Sequence, residues 1–397
     1  MLADRIRKVK PSATLALAAK AKALAAEGKD VVSLTVGEPD WDTFESAKQA
    51  GIDAIKSGKT KYMPTEGILE LRNLIAAQVQ TETGVSYPAS QVTVTAGGKF
   101  VIFSALQALV NPGDEVIIPA PYWVSYPDMV QLCEGVSKII ECNKEARFKL
   151  EAKTLRKYIS KKTKAIILNS PSNPTGEVYT IKELQDIAQV LVEFPSVHIL
   201  TDDIYNRLYF GGEIAPHILR VEPRLKDRTL IVNGVSKSYS MTGWRVGWAV
   251  GPKWWIDGMN IYQSQTVSCA ASVSQYAAVE ALKHGVKDIA QSVSVLRKRR
   301  DYFADLLKSV PGLNFDVPGG AFYFWIDISS YLGKSWKGQK INGSMEFVKI
   351  FLENYFVATV DGASFGLEGF LRASYATKDE KLRTAVERLK TFVSEIK

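Results

Sequence analysis

Histidine and cysteine are scarce in this sequence, with three of each among 397 residues. The histidines are isolated from one another, which argues against a metal site or a catalytic triad built on histidine. The cysteines lie far apart, without the spacing of metal ligands, at Cys133, Cys142 and Cys269. We therefore interpret them as reduced packing residues, expect no bound metal, and expect the protein in the cytoplasm.

Long apolar runs are also missing. No stretch of about 18 apolar residues occurs, so we expect no membrane-spanning helix. The N-terminal region is basic and alanine-rich, but Lys20 and Lys22 interrupt its apolar part, which argues against a secretion signal. No repeat or Pro-, Gly- or Ser-rich linker divides the chain, and its length exceeds that of one typical domain. We expect a large domain intertwined with a smaller one.

Acidic residues are fewer than basic ones, 42 against 50, which gives a formal net charge of +8. Such an excess can indicate nucleic-acid binding. The one dense basic cluster, "RKRR" at 297–300, falls however in a helical pattern with Leu296 and Phe303. We interpret the cluster as the solvated face of a long helix and expect no nucleic-acid partner. The surplus charge would attract small anionic substrates.

Short apolar and β-branched runs recur through the middle of the chain. They occupy residues 92–95, 116–118, 165–168, 197–200, 230–232 and 248–250. Segments with helical periodicity separate several of these runs, as at 180–194. The same periodicity predicts a helix over 14–26 that is opened by Ser12. It also predicts a helix near the C-terminus that is opened by a capping box of Thr377 and Glu380. Runs that are apolar on both faces are typical of parallel strands covered by helices on both sides. The pattern predicts an α/β fold with a mainly parallel sheet.

Motifs rich in residues that can bind ligands or react follow most of these runs. They are "AGGK" at 96–99, "PAPYW" at 119–123, "NSPSNPTG" at 169–176, "TDDIY" at 201–205 and "NGVSK" at 233–237. Ligands of such sheets bind beyond the carboxyl ends of the strands. The motifs therefore predict one shared site.

Lys237 is the most reactive candidate at these strand ends. A lysine there can be a surface charge, a phosphate ligand or a Schiff-base former. Asp202, at a neighbouring strand end, could keep a pyridinium nitrogen protonated, as pyridoxal chemistry requires, or could cap the next helix. Gly97 and Gly98 could let backbone N–H groups approach a phosphate, with Arg245 as its second ligand, or could form a plain tight turn.

The other candidates also have structural alternatives. Trp123 could be a shelf for a cofactor ring or a core residue. Tyr205 and Asn173 could donate to a phenolic oxygen, although a tyrosine at such a turn is otherwise a packing residue. Arg372 could hold a carboxylate or form a structural ion pair.

Taken together, these motifs resemble the class I aminotransferases of fold type I, which depend on pyridoxal 5'-phosphate. The resemblance is nearly full length and includes "VGEPDWDT", "TKYMPTEGILELR", "NGVSKSYSMTGWRVGW", "GGAFYFW" and "LRASYAT". It is greatest to the bacterial subgroup of aspartate aminotransferases, some of which also accept prephenate. It implies a mainly parallel sheet flanked by helices in a large cofactor-binding domain over 46–290. A smaller α+β domain would be built from both chain ends, 1–45 and 291–397.

The resemblance also implies a role for each candidate. Lys237 would form the Schiff base and then move a proton between the substrate Cα and the cofactor. The implied cofactor-binding residues are Gly97, Gly98, Lys99, Trp123, Asn173, Asp202, Tyr205, Ser236, Lys237, Arg245 and, from a neighbouring subunit, Tyr62. The implied substrate-binding residues are Gly37, Trp123, Asn173, Arg372, Lys99, Ser12 and Thr14. Among these, Arg372 would bind the α-carboxylate and Lys99 the distal carboxylate.

The implied activity is reversible amino transfer between L-aspartate and 2-oxoglutarate by a homodimer with shared active sites. Prephenate also fits, because it too presents two carboxylates. A β-eliminating or decarboxylating relative, or an aminotransferase of other specificity, is the alternative, because the cofactor-binding groups alone do not choose the bond that breaks. A cofactor-binding regulator without turnover is disfavoured, since the chain carries no DNA-binding extension.

Several positions depart from the family pattern, among them Phe100 after Lys99 and the residues that follow Tyr205, and two of them bear on the site. Gly234 stands three residues before Lys237, where many relatives carry a phosphate-binding serine. We expect Gly234→Ser to tighten cofactor binding. Asp361 stands near the substrate entrance, where a proline is usual.

Overall fold

The structure is a computed structural model that describes residues 2–9 and 13–397. Its helices are α1 (Asp4–Arg7), α2 (Ala13–Ala26), α3 (Glu45–Lys56), α4 (Leu69–Thr83), α5 (Gly98–Leu109), α6 (Ser125–Leu132), α7 (Ala152–Tyr158), α8 (Ile181–Glu193), α9 (Ile218–Val221), α10 (Lys253–Ser264), α11 (Ser272–His284), α12 (Val286–Lys308), α13 (Ser344–Tyr355) and α14 (Asp379–Ser394). Its strands are β1 (Val32–Ser33), β2 (Val92–Thr95), β3 (Glu115–Ala120), β4 (Val136–Glu141), β5 (Thr163–Asn169), β6 (His198–Asp202), β7 (Thr229–Gly234), β8 (Gly247–Val250), β9 (Asn314–Phe315), β10 (Tyr323–Asp327), β11 (Ser335–Trp336), β12 (Gln339–Lys340), β13 (Val357–Ala358), β14 (Val360–Asp361) and β15 (Phe370–Ser374).

A seven-stranded sheet in the order β2-β8-β7-β6-β5-β3-β4 forms the centre of the larger part of the chain. Its pairs are parallel except at β8, which runs antiparallel to both β2 and β7. The predicted mainly parallel sheet is therefore confirmed, and each predicted run is one of its strands. The edge strand β4 was not predicted, because most of its residues are only partly buried and it lacks a continuous apolar run.

Helices cover both faces of this sheet. Alternate strand residues point to opposite faces, so Ile117 and Ile166 join one core while Val116 and Ala165 join the other. The first core also contains apolar residues of α4, α8 and α11, and the second those of α5, α6 and α10. Because the strands pack against helices on both faces, their positions are well defined. The loops at their carboxyl ends therefore start from defined positions.

A second, antiparallel sheet has the order β14-β15-β10-β9 and packs against α12, α13 and α14. The N-terminal strand β1 pairs with β13 beside it. Helix α12 joins the two parts, because Ile289 lies in a core of the large sheet and Leu296 and Phe303 lie in the core of the small one. The expected boundary between 290 and 291 falls inside this helix, and the division into two domains remains a prediction.

The "RKRR" cluster on α12 is only partly solvated. Arg299 Nη1 lies 2.6 Å from Asp40 Oδ1, and its side chain is only 15% exposed. Arg300 lies over the ring of Phe210 at 4.6 Å, whereas Arg297 and Lys298 are exposed, although Arg297 also donates to the Phe210 carbonyl at 2.8 Å. The interpretation as a solvated face was wrong for Arg299 and Arg300, since helical spacing does not reveal which polar groups meet partners from distant segments.

Two helix boundaries test the capping predictions. Helix α14 begins at Asp379 after Lys378, without a side-chain cap, so the predicted capping box of Thr377 and Glu380 is wrong. Helix α2 begins at Ala13 and ends at Ala26, one residue from the expected start. Ser12, expected to open it, lies outside the described residues.

The described residues contain neither a candidate membrane-spanning helix nor a candidate metal-binding cluster. Among the described helices, none combines the length and apolar character needed to cross a membrane. The described residues contain no group of three or more His, Cys, Asp or Glu side chains placed to hold a metal ion. All three cysteines are free thiols.

Candidate active site

A cavity of about 390 Å³ opens at the carboxyl edge of the large sheet. Most of the residues predicted for the site line it, and they come from five strand ends, the segment before β8, the loop after β1, and β15. They are Gly37, Gly98, Lys99, Trp123, Asn173, Asp202, Tyr205, Ser236, Lys237, Arg245 and Arg372. Residues up to 335 positions apart in the chain thus share one enclosure, as the strand-end argument predicts.

Lys237 follows β7 and extends into the cavity. Its Nζ donates to the Gly37 carbonyl oxygen at 2.5 Å, which fixes the amine beneath the loop after β1. The pKa of Lys237 is lowered to about 8, mainly by burial; Glu38 and Asp202 oppose this shift, and Arg245 and Arg372 contribute to it. A lysine with this pKa is in part a neutral amine near neutral pH, and the neutral amine is the nucleophilic form.

Asp202 ends β6 and is fully enclosed. Its Oδ2 accepts a 2.6 Å hydrogen bond from the Tyr126 hydroxyl, and its carbonyl accepts from Asn169 Nδ2 at 2.8 Å. Burial raises the pKa of Asp202 to about 6, and the Tyr126 hydrogen bond opposes this rise. An ionised Asp202 is thus held in one orientation, as a partner for a protonated ring nitrogen must be.

Tyr126 and Asn169 were not among the predicted residues. Asn169 is the last residue of β5, so the strand-end rule alone could have found it. Tyr126 lies in the first turn of α6, just after Trp123, and nothing in its sequence context separates it from a core tyrosine. Only the tertiary structure reveals its hydrogen bond to Asp202.

One end of the cavity is suited to an anion. Gly98 is the first residue of α5, so backbone N–H groups and the positive end of the helix point there. Gly97 does not line the cavity but lies behind it, with φ +86°, where a Cβ would come within 2.6 Å of Arg245 Nη2. The positive φ favours glycine at this position, and any larger residue would also displace the guanidinium. Ser236 adds a hydroxyl to the cavity lining.

Arg372 on β15 forms the other end. It is 3% exposed and forms no ion pair with any described carboxylate, yet its Nη1 donates to Asn173 Oδ1 at 2.9 Å and its Nη2 to the Thr35 carbonyl at 2.6 Å. Its Nε has no partner among the described atoms. The rings of Tyr323 and Phe365 lie 4.5 and 5.0 Å from the guanidinium carbon. A buried cation without a counter-charge is an energetically favourable site for a carboxylate ligand.

Aromatic and cationic groups complete the wall. Lys99 Nζ lies 5.0 Å from the centre of the Trp123 ring, and partial burial together with Arg245 lowers the pKa of this lysine. The hydroxyls of Tyr205 and Tyr323 are hydrogen-bonded at 2.8 Å. Tyr323 was not predicted, because it is the first residue of an apolar strand, β10, and its sequence context does not distinguish it from a packing residue.

Besides Gly97, Tyr62 does not line the cavity, and the positions of Ser12 and the Thr14 side chain fall outside what the structure describes. Tyr62 is 92% exposed on the surface of this single chain. Thr14 lies in the first turn of α2, where side chains are not described, and Ser12 lies outside the described residues. Their expected roles stay predictions.

Gly234 does not mark a gap for a serine. It pairs with Gly247 across β7 and β8, and a Cβ on it would come within 2.8 Å of the Val246 carbonyl and 3.0 Å of the Gly247 Cα. The site thus offers no room for the serine that sequence reasoning expected to be helpful. Because the two backbones approach so closely, only glycine fits at position 234.

Comparison with known proteins identifies the family. A family model described as aminotransferase class I and II matches residues 29–389. The chain belongs to this family. The chain is 47% identical over 393 residues to the probable aspartate/prephenate aminotransferase of Rhizobium leguminosarum bv. phaseoli, with 98% of each chain covered. It is 46% identical over 392 residues to the aspartate/prephenate aminotransferase of Cereibacter sphaeroides, again with 98% of each covered.

Solved structures agree with this assignment. The aminotransferase matches the crystal structure of the aspartate aminotransferase from Rhizobium meliloti with a TM-score of 0.96 and 41% identity over 100% of both chains. It matches the Thermus thermophilus aspartate aminotransferase with maleate at a TM-score of 0.92 and 39% identity, with 99% of each covered. The implied class I family and fold type I are therefore confirmed, and the protein is an enzyme of the transaminase class.

Proposed function

We propose that this aminotransferase uses pyridoxal 5'-phosphate to transfer the amino group of L-aspartate to 2-oxoglutarate, giving oxaloacetate and L-glutamate. The proposal depends above all on one cavity that holds Lys237, Asp202 and the buried guanidinium of Arg372. The relatives named for aspartate and prephenate support this choice of substrates. Prephenate is the second acceptor that we propose, with arogenate as its product.

The residues of the cavity fit this cofactor. The N-terminus of α5 and the Arg245 guanidinium would hold its phosphate, and Asp202 would hold the proton on its pyridine nitrogen. Asn173 uses its Oδ1 to accept from Arg372, so its Nδ2 remains to donate to the phenolic oxygen, together with the Tyr205 hydroxyl. The ring of Trp123 would cover one face. When bound, the cofactor supplies an aldehyde that receives the amino group and a ring that withdraws electrons from the substrate Cα.

Lys237 would then move the proton. With its pKa lowered to about 8, its Nζ can accept a proton from the substrate Cα near neutral pH and return it to the neighbouring carbon. Burial around the amine excludes water, which would otherwise compete for this proton. Arg372 would orient the Cα–H bond by holding the α-carboxylate at the far wall.

Two carboxylates can be bound at once in this arrangement. Arg372 offers a buried guanidinium, and Lys99 lies over the Trp123 ring, where burial and Arg245 lower the pKa of the lysine and Asp128 raises it. A dicarboxylic substrate would place one carboxylate at each of these cations, whereas alanine or phenylalanine would have no group to offer Lys99. The maleate named in the structure of the Thermus thermophilus relative is also a dicarboxylate.

We further propose a cytoplasmic homodimer. Tyr62, which is 92% exposed in the single chain, would reach the phosphate of the second subunit. This exposure leaves the Tyr62 side chain free to contact a second chain. The cytoplasm would keep the three free cysteines reduced.

A covalent trapping experiment tests the role of Lys237. Borohydride reduction of the holoprotein should fix the cofactor on Lys237, bleach the visible absorbance and abolish activity. In Lys237→Ala no cofactor should remain fixed, and activity should fall by at least about 10⁴-fold, since nucleophile and proton carrier are lost together. Lys253→Ala is the matched control, because Lys253 is an exposed lysine paired with Asp257 and should behave like the native chain. Full activity in Lys237→Ala would contradict the proposal.

A panel of half-reactions tests the substrates. Aspartate and glutamate should convert the bound cofactor to its amine form more efficiently than alanine or phenylalanine. The reverse conversion should proceed with oxaloacetate, 2-oxoglutarate and prephenate. Release of pyruvate and ammonia from a cysteine conjugate, without amino transfer, would instead show a β-eliminating enzyme.

A further inference from the structure

We propose that Asp361 is a positioning residue for substrate carboxylates. Its buried carboxylate folds the turn of residues 361–366, and that turn holds Phe365 against Arg372 and ties the small sheet to the loop of Trp123. The proposal rests on the function proposed above, because it concerns the guanidinium that would bind the α-carboxylate. It assigns a purpose to a residue that stands where the family usually carries a proline.

Asp361 ends β14 and is completely buried. Its Oδ1 accepts from the Ser364 backbone N–H at 2.9 Å and from the Ser364 hydroxyl at 3.1 Å, and its Oδ2 lies 2.9 Å from the same hydroxyl. Within the described residues the carboxylate forms no ion pair. Burying a carboxylate without a counter-charge is costly unless hydrogen bonds satisfy it, so these bonds to Ser364 determine the shape of the turn.

The turn is fastened to the large sheet. The Tyr122 backbone N–H, next to Trp123, donates to the Phe365 carbonyl at 3.0 Å. Gly366 follows with φ +83°, and a Cβ on it would come within 2.5 Å of the Tyr122 ring. The turn therefore packs closely against the loop after β3, and a change in its shape must move one of the two.

Phe365 links the turn to Arg372, because its backbone belongs to the turn and its ring packs against the guanidinium. Its ring is fully buried, lies 5.0 Å from the guanidinium carbon and meets the Trp325 ring edge-on at 5.6 Å. Tyr323 lies 4.5 Å from the same carbon, so the guanidinium is confined by two rings. Confinement of this kind prepares a side chain for its ligand before binding. Loosening the Phe365 ring should weaken carboxylate binding more than it slows proton transfer at Lys237.

The experiment compares Asp361→Ala with Asp361→Asn in the holoenzyme. The asparagine keeps an acceptor for the Ser364 N–H, and the alanine has none. For Asp361→Ala we expect the KM for aspartate and the Kd for maleate, followed by visible absorbance, to rise about tenfold, with kcat changing less than about threefold. Asp361→Asn should stay within about threefold of the native Kd, since it can rebuild the turn. Cofactor retention should be unchanged in both.

Two further variants separate positioning from general stability. Asp327 makes the same kind of bonds to the Ser329 N–H and hydroxyl on the opposite side of β15, in addition to an ion pair with Lys144. Asp327→Ala is therefore the control for loss of such a carboxylate without a change in the 361–366 turn, and it should leave maleate binding unchanged. Gly366→Ala distorts the turn without touching Asp361 and should weaken maleate binding in the same way. If Asp361→Ala does not fold, Ser364→Ala removes the same hydroxyl bonds and should give a smaller rise in the same Kd.

Native maleate affinity in Asp361→Ala, or an equal loss in Asp327→Ala, would overturn the proposal. The function proposed for the site is judged separately, by whether aspartate converts the cofactor in the native enzyme. A native enzyme that ignores aspartate would refute the function, whereas one that responds while Asp361→Ala binds maleate normally would refute only the role of Asp361.

Discussion

The Tyr126 hydroxyl shows how a single residue can act on the site through another. It donates to Asp202 Oδ2 at 2.6 Å and is itself buried, so it has no competing water. A hydrogen bond donated to a carboxylate stabilises the ionised form and fixes its orientation. Tyr126 should therefore keep Asp202 charged and aimed at the ring nitrogen of the cofactor.

Removing that hydroxyl should shift the pH dependence. In Tyr126→Phe the pKa of Asp202 should rise above its value of about 6, so Asp202 becomes protonated at higher pH. The acid limb of the kcat/KM profile should move upward by about one pH unit, the effect of losing one charged hydrogen bond. A pH titration of the cofactor absorbance should show the same shift.

Tyr179→Phe is the control for this change. Tyr179 is also a buried tyrosine of the large sheet's core, where its hydroxyl accepts from the Leu150 N–H at 2.9 Å, away from Asp202. It should lose stability without a shift in the pH profile. Equal profiles for native enzyme and Tyr126→Phe would refute the role of the hydroxyl.

At the scale of secondary structure, the paired strands β7 and β8 leave no room for side chains beside the anion-binding end of the cavity. Gly234 faces Gly247 in this pair, and a Cβ on Gly247 would come within 2.5 Å of the Gly98 backbone nitrogen. Three segments thus approach one another through backbone alone. The close contact brings the N-terminus of α5 next to the strand that precedes Lys237.

Gly234→Ser should therefore destabilise the enzyme instead of tightening cofactor binding. The new Cβ would press on the Val246 carbonyl, and we expect a loss of about 1–3 kcal/mol in the free energy of unfolding, as for other overpacked sites. Cofactor affinity should stay equal or fall. Gly243→Ser is the control, because no atom lies within 4 Å of its Cβ position. Thermal unfolding and equilibrium dialysis of the cofactor measure the two effects; tighter retention in Gly234→Ser would contradict this account.

Most elements of the large sheet could be predicted, and the exceptions have physical reasons. Strands buried on both faces leave continuous apolar runs in the sequence, which is why β2, β5 and β7 were found. The half-exposed edge strand β4 leaves no such run. The predicted cap of α14 failed because a hydroxyl and a carboxylate with the right spacing reveal nothing about where the helix begins.

At the scale of the whole molecule, the proposed site would be completed by a second copy of the chain. Tyr62 is 92% exposed and lies outside the cavity, so its expected contact with the phosphate would come from the other subunit of the proposed dimer. A contact of this kind is reciprocal in a twofold dimer, because each subunit would complete the site of the other.

Mixing two inactive variants tests this sharing. Lys237→Ala has no amine for its own site, and Tyr62→Ala should bind the cofactor weakly in both sites of its homodimer. When the two chains are co-expressed, each mixed dimer should contain one intact site, so about a quarter of all sites should regain native cofactor affinity with random pairing. Equal weights of the two separately purified homodimers, assayed without exchange, are the control. No recovery in the mixed preparation would contradict a shared site.

The sequence by itself determined the fold class, the family and most of the site. Periodicity and apolar runs follow from burial in a layered α/β domain, and strand ends must converge because parallel strands share one direction. Only the tertiary structure decided that Tyr126 meets Asp202, that Gly234 must remain a glycine, that three arginines of α12 are engaged, and that Asp361 shapes the turn beside Arg372. These outcomes depend on distances between segments remote in the chain, which local spacing does not encode.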